Sequence, residues 1–273
     1  MTAAPFLKWA GGKRQLLPRI LPLVPKKVGT YYEPFLGGGA LFFSLANAGR
    51  FERAELSDLN PELVITYQAI QRDVEAVIAC LGRYRDSRRA YLRARAARPI
   101  DLPAVEIAAR MIFLNRCGFN GLYRVNASGE FNVPYGSHKR RRPILDPEIL
   151  RAASRALHPS KVTVSAADFL EATRDVGAGD FVYFDPPYVP LSKTSSFSTF
   201  TAGGFGFDEQ DLLADRFDAL RVRGATVVLS NSDCQLTRFL YRSQRVVSVP
   251  ARRAINSVAS RRGPVRELLV VAR

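Results

Sequence analysis

Short runs of β-branched and aromatic residues recur along the chain and alternate with segments of helical periodicity. Most runs end at Gly, Pro or Asp, which is typical of buried strands. The predicted strands are 31–35, 53–57, 161–165, 180–185, 225–230, 245–249 and 267–272, and helices are predicted at 40–48 and 208–221. Because strands that alternate with helices build open sheets, the pattern predicts an α/β fold.

The middle of the chain departs from this alternation and is predicted to be a mostly helical domain inserted into the α/β fold. A helical pattern begins at Asn60-Pro61, with apolar positions three or four residues apart up to Leu81. A second helix is predicted at 103–114. Residues 115–145 are rich in Asn, Gly and Pro and predict an irregular loop or hairpin. The predicted boundaries are 1–59 and 146–273 for the α/β domain and 60–145 for the insert.

The charge of the chain suggests a class of partner. The 273 residues include 40 Lys+Arg and 25 Asp+Glu, a net charge of +15, and the sequence pI is about 10.2. A pI above about 9 is a common footprint of phosphate-backbone binding, although 33 of the basic residues are Arg, a bias that codon composition also produces. The arginines of 83–98 fit a solvated helix face as well as a DNA contact. The basic run 139–142 is the better phosphate-contact candidate.

Membrane, secreted and metal-dependent classes are disfavoured by the composition. No apolar run approaches the ~18 residues of a membrane helix, and the N-terminus lacks the charged-then-apolar pattern of an export signal. The three cysteines form no CxxC pair and only two histidines are present, so we expect no metal site. We therefore expect a cytoplasmic protein, associated with the nucleoid if its partner is DNA.

A glycine-rich turn joins the first predicted strand to the first predicted helix. Its sequence is Glu33-Pro34-Phe35-Leu36-Gly37-Gly38-Gly39, and the glycines allow a tight turn and the close approach of a ligand. Asp58 follows Gly39 by 19 residues, an offset that suits hydrogen bonds to ribose hydroxyls. Phe42 stands where a dinucleotide-binding turn has its third glycine, so the pattern favours an adenosine-containing ligand without a pyrophosphate. An ordinary glycine-rich turn is the alternative.

The strand 180–185 ends abruptly in the sequence Asp185-Pro186-Pro187-Tyr188. Since two prolines cannot continue a strand ladder, the chain leaves the sheet at its carboxyl edge, where open α/β sheets bind ligands. Asp185 and the Pro186 carbonyl can accept the two N–H donors of an exocyclic amine, and Tyr188 can stack on the ring. The segment therefore predicts a site for a flat base, a proline-capped strand end being the alternative.

In their order along the chain, these motifs resemble the Dam-like DNA adenine-N6 methyltransferases of the D12 class. The resemblance covers nearly the whole chain and has the α-type order, in which the glycine motif precedes the recognition domain and Asp-Pro-Pro-Tyr follows it. The segments that carry it are 6–13 (FLKWAGGK), 33–39 (EPFLGGG), 57–60 (SDLN), 114–124 (LNRCGFNGLYR), 129–136 (GEFNVPYG), 168–169 (DF) and 229–233 (LSNSD). It implies a Rossmann-like methyltransferase sheet with an inserted, mostly helical DNA-recognition domain.

The resemblance also implies the chemistry, in which S-adenosylmethionine donates a methyl group to adenine N6 without a metal or a covalent intermediate. Asp185 and Pro186 would accept the N6 hydrogens and free the nitrogen lone pair. The implied catalytic residues are Asp185, Pro186, Pro187 and Tyr188. The implied cofactor-binding residues are Trp9, Ala10, Gly11, Lys13, Glu33, Phe35, Gly37, Gly39, Asp58, Asp168, Phe169 and Asp185.

Double-stranded DNA is the implied partner, bound by a chain that we expect to be monomeric in solution. The target adenine must be flipped out of the duplex. Phe119 is the candidate for filling the gap, with a hydrophobic loop anchor as the alternative, and Arg124 can read a guanine edge. GATC is the favoured site, although Ser137-His138 replace a basic and an aromatic residue of known GATC readers. The implied DNA-binding residues are Lys8, Asn115, Arg116, Phe119, Asn120, Leu122, Arg124, Asn132, Pro134, His138, Lys139 and Arg140.

Two alternative functions remain open from the sequence. The first is an N-methyltransferase on cytosine N4, on another adenine site or on RNA. Cytosine-N4 enzymes more often carry Ser in place of Asp185, and the DNA-reading loop argues against RNA. The second is a DNA-binding relative without activity, against which the intact Asp185 to Tyr188 segment argues. The sequence does not decide whether the enzyme acts alone or beside a partner nuclease.

Overall fold

One β-sheet lies at the centre of the molecule. The computed structural model describes residues 1–9, 13–126, 128–136, 144–189, 205–252 and 264–272. The strands are β1 (Val28–Glu33), β2 (Phe51–Ser57), β3 (Val162–Ser165), β4 (Phe181–Phe184), β5 (Thr226–Ser232), β6 (Arg245–Arg252) and β7 (Pro264–Ala272). Their order in the seven-stranded sheet is β3-β2-β1-β4-β5-β7-β6, with β7 antiparallel to both neighbours. The predicted α/β fold and all the predicted strands are confirmed, with ends shifted by up to three residues.

Helices connect the strands. In the described residues they are α1 (Leu17–Ile20), α2 (Ala40–Asn47), α3 (Pro61–Arg72), α4 (Val74–Leu81), α5 (Arg88–Ala96), α6 (Ala104–Cys117), α7 (Pro147–Ala156), α8 (Phe169–Ala172), α9 (Phe207–Val222) and α10 (Gln235–Leu240). Within this part of the chain, no helix combines the length and the apolar composition that crossing a bilayer requires.

The helical pattern that starts at Asn60 is two helices, not the single one that the sequence predicted. Asp73 interrupts it with φ −151° and ψ 76°, and its carboxylate accepts a hydrogen bond from the Ala76 N–H at 3.0 Å. An aspartate in this position caps the start of α4, and its non-helical backbone ends α3. The apolar spacing continues across the break, which is why periodicity alone did not reveal it.

The strand order reverses between β1 and β4, at the centre of the sheet. From β1 the chain proceeds outward through β2 to β3, and from β4 it proceeds outward in the other direction. Tyr31 of β1 pairs with Phe181 of β4 in parallel, so the two strands end at the same edge of the sheet. Open α/β sheets bind ligands at such a point, outside the carboxyl ends of the strands. The fold therefore brings the glycine turn that follows Glu33 close to Asp185.

Helices cover both faces of the sheet, and alternate strand residues point into two cores. The larger core contains Tyr31 and Tyr183 together with apolar side chains of the helices from α2 to α7. The smaller core contains Tyr32 and Val182 together with Phe217 of α9. The helices between β2 and β3 therefore share one continuous core with the sheet.

Helix α3, which lies within the predicted insert, is hydrogen-bonded to the β3 region. Gln68 Nε2 donates to the Val164 carbonyl at 2.7 Å. Gln71 Nε2 donates to the carbonyls of Leu157 and Val162 at 2.6 and 2.8 Å. These bonds fix α3 to the edge of the sheet, whereas the domain boundaries after residues 59 and 145 stay predictions.

A buried ion pair connects the helices that support the predicted DNA-reading loop. The Arg110 guanidinium on α6 lies 2.9 Å from Glu62 Oε2 on α3. It also donates to the carbonyls of Ala94 (2.7 Å) and Arg95 (3.3 Å) in the last turn of α5. Glu62 Oε1 accepts a hydrogen bond from the Tyr123 hydroxyl at 3.1 Å. Because both charges are buried, removing one would leave the other without compensation.

We expect Arg110→Met to lower the free energy of unfolding by about 3–5 kcal/mol, because Glu62 would become a buried, unpaired charge. Arg151 is the matched control, since it pairs with Glu75 and Glu148 at 2.6 Å on the surface. Arg151→Met should therefore change stability far less. Urea denaturation followed by circular dichroism measures both variants. Equal losses would mean that the buried pair contributes no more than the surface pairs.

Candidate active site

The glycine turn after β1 is closed by the side chain of Asp58, which follows β2. Gly37 and Gly39 have φ values of 47° and 63°, in the left-handed region that glycine adopts without strain. Asp58 accepts hydrogen bonds from the N–H groups of Gly37 (3.0 Å) and Asn60 (2.9 Å). Burial raises the pKa of Asp58, and these donors oppose the rise. Each carboxylate oxygen has a second acceptor position, so Asp58 can still accept a ligand hydroxyl.

Trp9 packs directly on the glycine turn. A Cβ atom built on Gly37 would lie 2.7 Å from Trp9 Cδ1, so the close approach of the indole requires glycine at this position. The indole also stacks on Tyr123, with ring centroids 5.4 Å apart and an interplanar angle of 24°. Tyr123 precedes Arg124 in the predicted DNA-reading loop. One aromatic side chain therefore contacts both the turn and that loop.

Glu33 is a buried carboxyl group at the end of β1. The Tyr31 hydroxyl donates a hydrogen bond to Glu33 Oε2 at 2.8 Å. Burial raises the pKa of Glu33 to about 8, and negative charge on Asp185 and Asp58 adds to the rise. Because burial disfavours the charge, a cationic ligand group beside Glu33 would favour the ionised form.

Asp185 follows β4 and is the central charged group of the site. Its side chain is 19% exposed, and Lys13, which is 7% exposed, places Nζ 2.8 Å from Asp185 Oδ1. The Ser230 hydroxyl donates to the same oxygen at 2.8 Å. Burial raises the pKa of Asp185, whereas the positive charge of Lys13 and the two hydrogen bonds oppose the rise. The ionised carboxylate is thus compensated on one of its two oxygens.

The residues after Asp185 are held by side chains from three other elements. The Lys13 ammonium lies 4.5 Å from the centroid of the Tyr188 ring, within cation–π range. The Tyr188 hydroxyl donates to Glu267 Oε2 on β7 at 2.7 Å. Gln210 Nε2 on α9 donates to the Pro187 carbonyl at 3.0 Å. The segment therefore has a fixed position relative to the sheet.

Two of these supporting residues, Gln210 and Glu267, were not singled out from the sequence, whereas Ser230 lies in the segment 229–233 that carries the family resemblance. A signal existed for Ser230, because it lies near the end of a predicted strand that neighbours β4, at the same edge of the sheet. Gln210 and Glu267 carry no such signal. Gln210 Oε1 accepts a hydrogen bond from Asn231 Nδ2 on β5 at 2.9 Å. The Gln210 side chain therefore connects β5 to the Pro187 carbonyl by hydrogen bonds.

An aromatic wall lies beside the glycine turn. The rings of Phe35 and Phe169 stack with centroids 5.8 Å apart, and Phe184 and Phe205 complete the cluster. Phe169 and Phe184 are buried in the smaller core, whereas Phe35 and Phe205 are half-buried, so the latter two are the rings that the face of a purine could reach. Asp168 is exposed, and its Oδ1 accepts the N–H groups of the first turn of α8. It therefore orients Phe169 through the helix that it caps.

The predicted DNA-reading loop is a hairpin-like structure that follows α6. Gly118 bridges to Tyr135 and Val125 to Phe131 in antiparallel fashion. Of the two predicted alternatives, irregular loop or hairpin, the described residues after α6 therefore form a hairpin, whereas 115–117 belong to the helix. Phe119 lies at one end of it and is 51% exposed. Asn120 beside it has a φ of 56°, which is uncommon for a residue other than glycine.

The Arg124 side chain lies on the open surface of the hairpin. Its Nε donates to Asn132 Oδ1 at 2.6 Å, and Nη2 lies 3.5 Å from the Asn132 carbonyl. Pro134 and Lys8 are also exposed, and Leu122 is half-buried. These side chains are accessible to a macromolecule that approaches the hairpin.

Asn115 and Arg116, by contrast, bind within the protein. Asn115 is buried, and its amide bonds to the Lys8 backbone at 2.8 and 2.7 Å and to the Gly121 carbonyl at 3.0 Å. Arg116 donates to the Phe6 carbonyl at 3.0 Å. Asn115 connects α6 to the N-terminal segment and to the loop, and Arg116 connects α6 to the N-terminal segment. These contacts within the protein give no support to the predicted DNA contact.

Five predicted site residues lie outside the described part of the chain: Ala10, Gly11, His138, Lys139 and Arg140. The arginine cluster on and beside α5 is described. Its members Arg83, Arg85, Arg88, Arg89, Arg93 and Arg98 are exposed. Arg95 turns inward and donates to the Val133 carbonyl of the hairpin at 3.4 Å. The exposed members fit both a solvated face and a DNA contact.

Known proteins are similar to this chain over most of its length. Residues 9–255 match the family model described as D12 class N6 adenine-specific DNA methyltransferase. The Type II methyltransferase M1.LlaDCHI of Lactococcus lactis subsp. cremoris is 41% identical, covering 97% of this chain and 94% of its own. The Type II methyltransferase M.MjaIII of Methanocaldococcus jannaschii is 39% identical, covering 99% of each chain.

A third relative is named DNA adenine methylase, whereas the first two are named Type II methyltransferases. The DNA adenine methylase of Vibrio cholerae is 35% identical, covering 97% of this chain and 95% of its own. The family match includes the glycine turn and Asp185 and ends at residue 255, and the three relatives cover 97–99% of this chain. The chain belongs to the D12 class of N6 adenine-specific DNA methyltransferases.

Proposed function

We propose that this chain transfers a methyl group from S-adenosylmethionine to N6 of an adenine flipped out of double-stranded DNA, with GATC as the favoured site. The observation that carries the proposal is the position of Asp185. Its carboxylate is compensated on Oδ1 at the point where the strand order reverses, beside the glycine turn. The name of the Vibrio cholerae relative, DNA adenine methylase, supports the choice of base.

The residues around the glycine turn fit S-adenosylmethionine. The half-buried ring of Phe35, supported from behind by Phe169, is available to pack on the adenine, and Asp58 retains acceptor capacity for the ribose hydroxyls. Glu33 is the acceptor for the cationic amino group of the methionine end, whose positive charge would draw the buried carboxyl into its ionised form. Trp9 covers the turn that approaches the ligand. When bound, the cofactor supplies an electrophilic methyl group on a positively charged sulfur.

Asp185 and Pro186 act on the nucleophile. The N6 lone pair of adenine is delocalised into the ring, so the amino group is a poor nucleophile until its hydrogens are held out of the plane. Asp185 and the Pro186 carbonyl accept these hydrogens, and Tyr188 stacks on the base. Asp185 is also the base positioned to take the proton that N6 loses. Most of the rate gain comes from positioning and from acceptors that are already oriented.

The hairpin is the DNA-reading element of the proposal. Phe119, being exposed beside the left-handed Asn120, is available to fill the gap that the flipped adenine leaves. Arg124 donates to Asn132 from Nε and, at 3.5 Å, from Nη2. Nη1 and the second hydrogen of Nη2 remain for the O6 and N7 atoms of a guanine. The net charge of +15 adds affinity that falls with salt concentration.

The proposal is tested by methylating an unmethylated plasmid with the purified protein and mapping N6-methyladenine by sequencing. We expect modified adenines in GATC and none elsewhere at limiting enzyme. Modified adenines in another sequence would support the proposed adenine methylation but contradict GATC as the recognition sequence. N4-methylcytosine, or no modification, would overturn the proposed reaction.

We expect Asp185→Ala to lower kcat for methyl transfer by at least about 100-fold, because an oriented acceptor of the reacting amino group is removed. Binding to a GATC duplex should be largely retained, as should the fluorescence increase of 2-aminopurine at the target position, which reports base flipping. Asp185→Asn preserves the side-chain shape and serves as the second variant. Methyl transfer near the wild-type rate in either variant would contradict the assignment.

We expect Arg124→Ala to relax sequence choice, at a cost of about 1–3 kcal/mol for the base that Arg124 reads. Asn132→Ala should also relax sequence choice, but by less, because it removes only the hydrogen bond that orients the Arg124 guanidinium. The measurement is kcat/KM on duplexes that differ at each position of the site. Uniform weakening on all sequences would instead make Arg124 a phosphate contact.

A further inference from the structure

The two oxygens of the Asp185 carboxylate have different surroundings. Oδ1 lies 2.8 Å from Lys13 Nζ and accepts the hydrogen bond of the Ser230 hydroxyl at 2.8 Å. Among the described residues, no donor is hydrogen-bonded to Oδ2. The carboxylate is therefore held by one oxygen, and the other remains available as an acceptor.

Ser230 belongs to a directed chain of hydroxyl groups. Its single hydroxyl hydrogen is used on Asp185, so the Tyr183 hydroxyl, 2.9 Å from Ser230 Oγ, must be the donor in that pair. Both Ser230 and Tyr183 are buried. Burial raises the pKa of Tyr183 well above its usual range, so the phenol keeps the hydrogen that this direction requires.

Strand pairing determines the position of Ser230. Phe184 of β4 pairs with Leu229 of β5 in parallel, so the next residue on each strand, Asp185 and Ser230, lie beside one another at the edge of the sheet. A hydroxyl on a buried strand has little freedom, and its hydrogen bond fixes a direction in space. The Lys13 ammonium approaches from the N-terminal segment and acts as a point charge on a flexible side chain, which compensates charge without fixing the carboxylate plane.

We propose that Ser230, oriented by Tyr183, is a positioning residue that turns the Asp185 carboxylate so that Oδ2 faces the amino group of the target base. The inference rests on the proposed methyl transfer to N6. It adds a role for a residue that never touches the base. The rotation matters because an acceptor stabilises the reacting amino group only where its lone pair points at the hydrogen.

Ser230→Ala should lower kcat roughly 10- to 100-fold, the effect of losing one hydrogen bond to a charged group, with little change in KM for DNA. The direction of the pH effect follows from the same bond. The ionised carboxylate is the active form, and the hydrogen bond from Ser230 lowers the pKa of Asp185. Removing it raises that pKa, so the acidic limb of kcat should move to higher pH.

The experiment compares four variants by steady-state kinetics from pH 5.5 to 9. Ser230→Thr keeps a hydroxyl and should recover much of the rate. Tyr183→Phe keeps the ring but not its donor, and should fall between wild type and Ser230→Ala. Thr66→Val is the matched control, because it removes a buried hydroxyl of α3 whose partners are the Glu62 carbonyl and the Met111 sulfur. It should leave kcat and the pH profile unchanged.

A second measurement does not depend on turnover. The Asp185 carboxyl carbon, labelled with ¹³C and assigned by its loss in Asp185→Asn, is titrated by NMR in wild type and in Ser230→Ala. An upward displacement of the titration supports the positioning role even if the enzyme methylates another target. The proposal is overturned if Ser230→Ala retains the wild-type kcat or the wild-type titration of Asp185, or if Ser230→Thr is as impaired as Ser230→Ala.

Discussion

A carboxylate held largely out of water at the end of β4 is the constraint on which the arrangement of the site depends. Burying a charge without compensating partners costs several kcal/mol. This is on the order of the whole free energy of unfolding of a domain. Asp185 has two such partners, and Lys13 is the charged one. Because Lys13 belongs to the N-terminal segment, the ion pair holds this part of the chain over the carboxyl edge of the sheet.

The same segment carries Trp9 to the glycine turn and supports the hairpin. The Lys8 backbone is bonded on both sides to the Asn115 amide, and the Trp9 indole stacks on Tyr123. The hairpin is held from its other side as well, where the Tyr91 hydroxyl donates to the Val133 carbonyl at 3.0 Å. A hairpin fixed in this way loses little further freedom on binding, which lowers the entropic cost of recognition.

The strands and the two motifs at their ends were predictable because their signals are local. Apolar runs bounded by Gly, Pro or Asp give the strands, and the turn after Glu33 and the prolines after Asp185 give the edge where ligands bind. The supporting contacts were not predictable, because they join distant positions. Ser230 is 45 residues from Asp185, and Glu267 is 79 residues from Tyr188. Asn115 and Arg116 illustrate a further limit, since residue types that bind phosphates serve equally well as internal braces.

Trp9 is the only tryptophan of the chain, and it is wedged between Gly37 and Tyr123. Indole emission responds to the polarity and to the ring neighbours of its immediate surroundings. The tryptophan emission of this protein therefore originates at one known junction, where the turn and the hairpin meet. Because Trp9 contacts both elements, its emission reports on the glycine turn and on the hairpin without an added label.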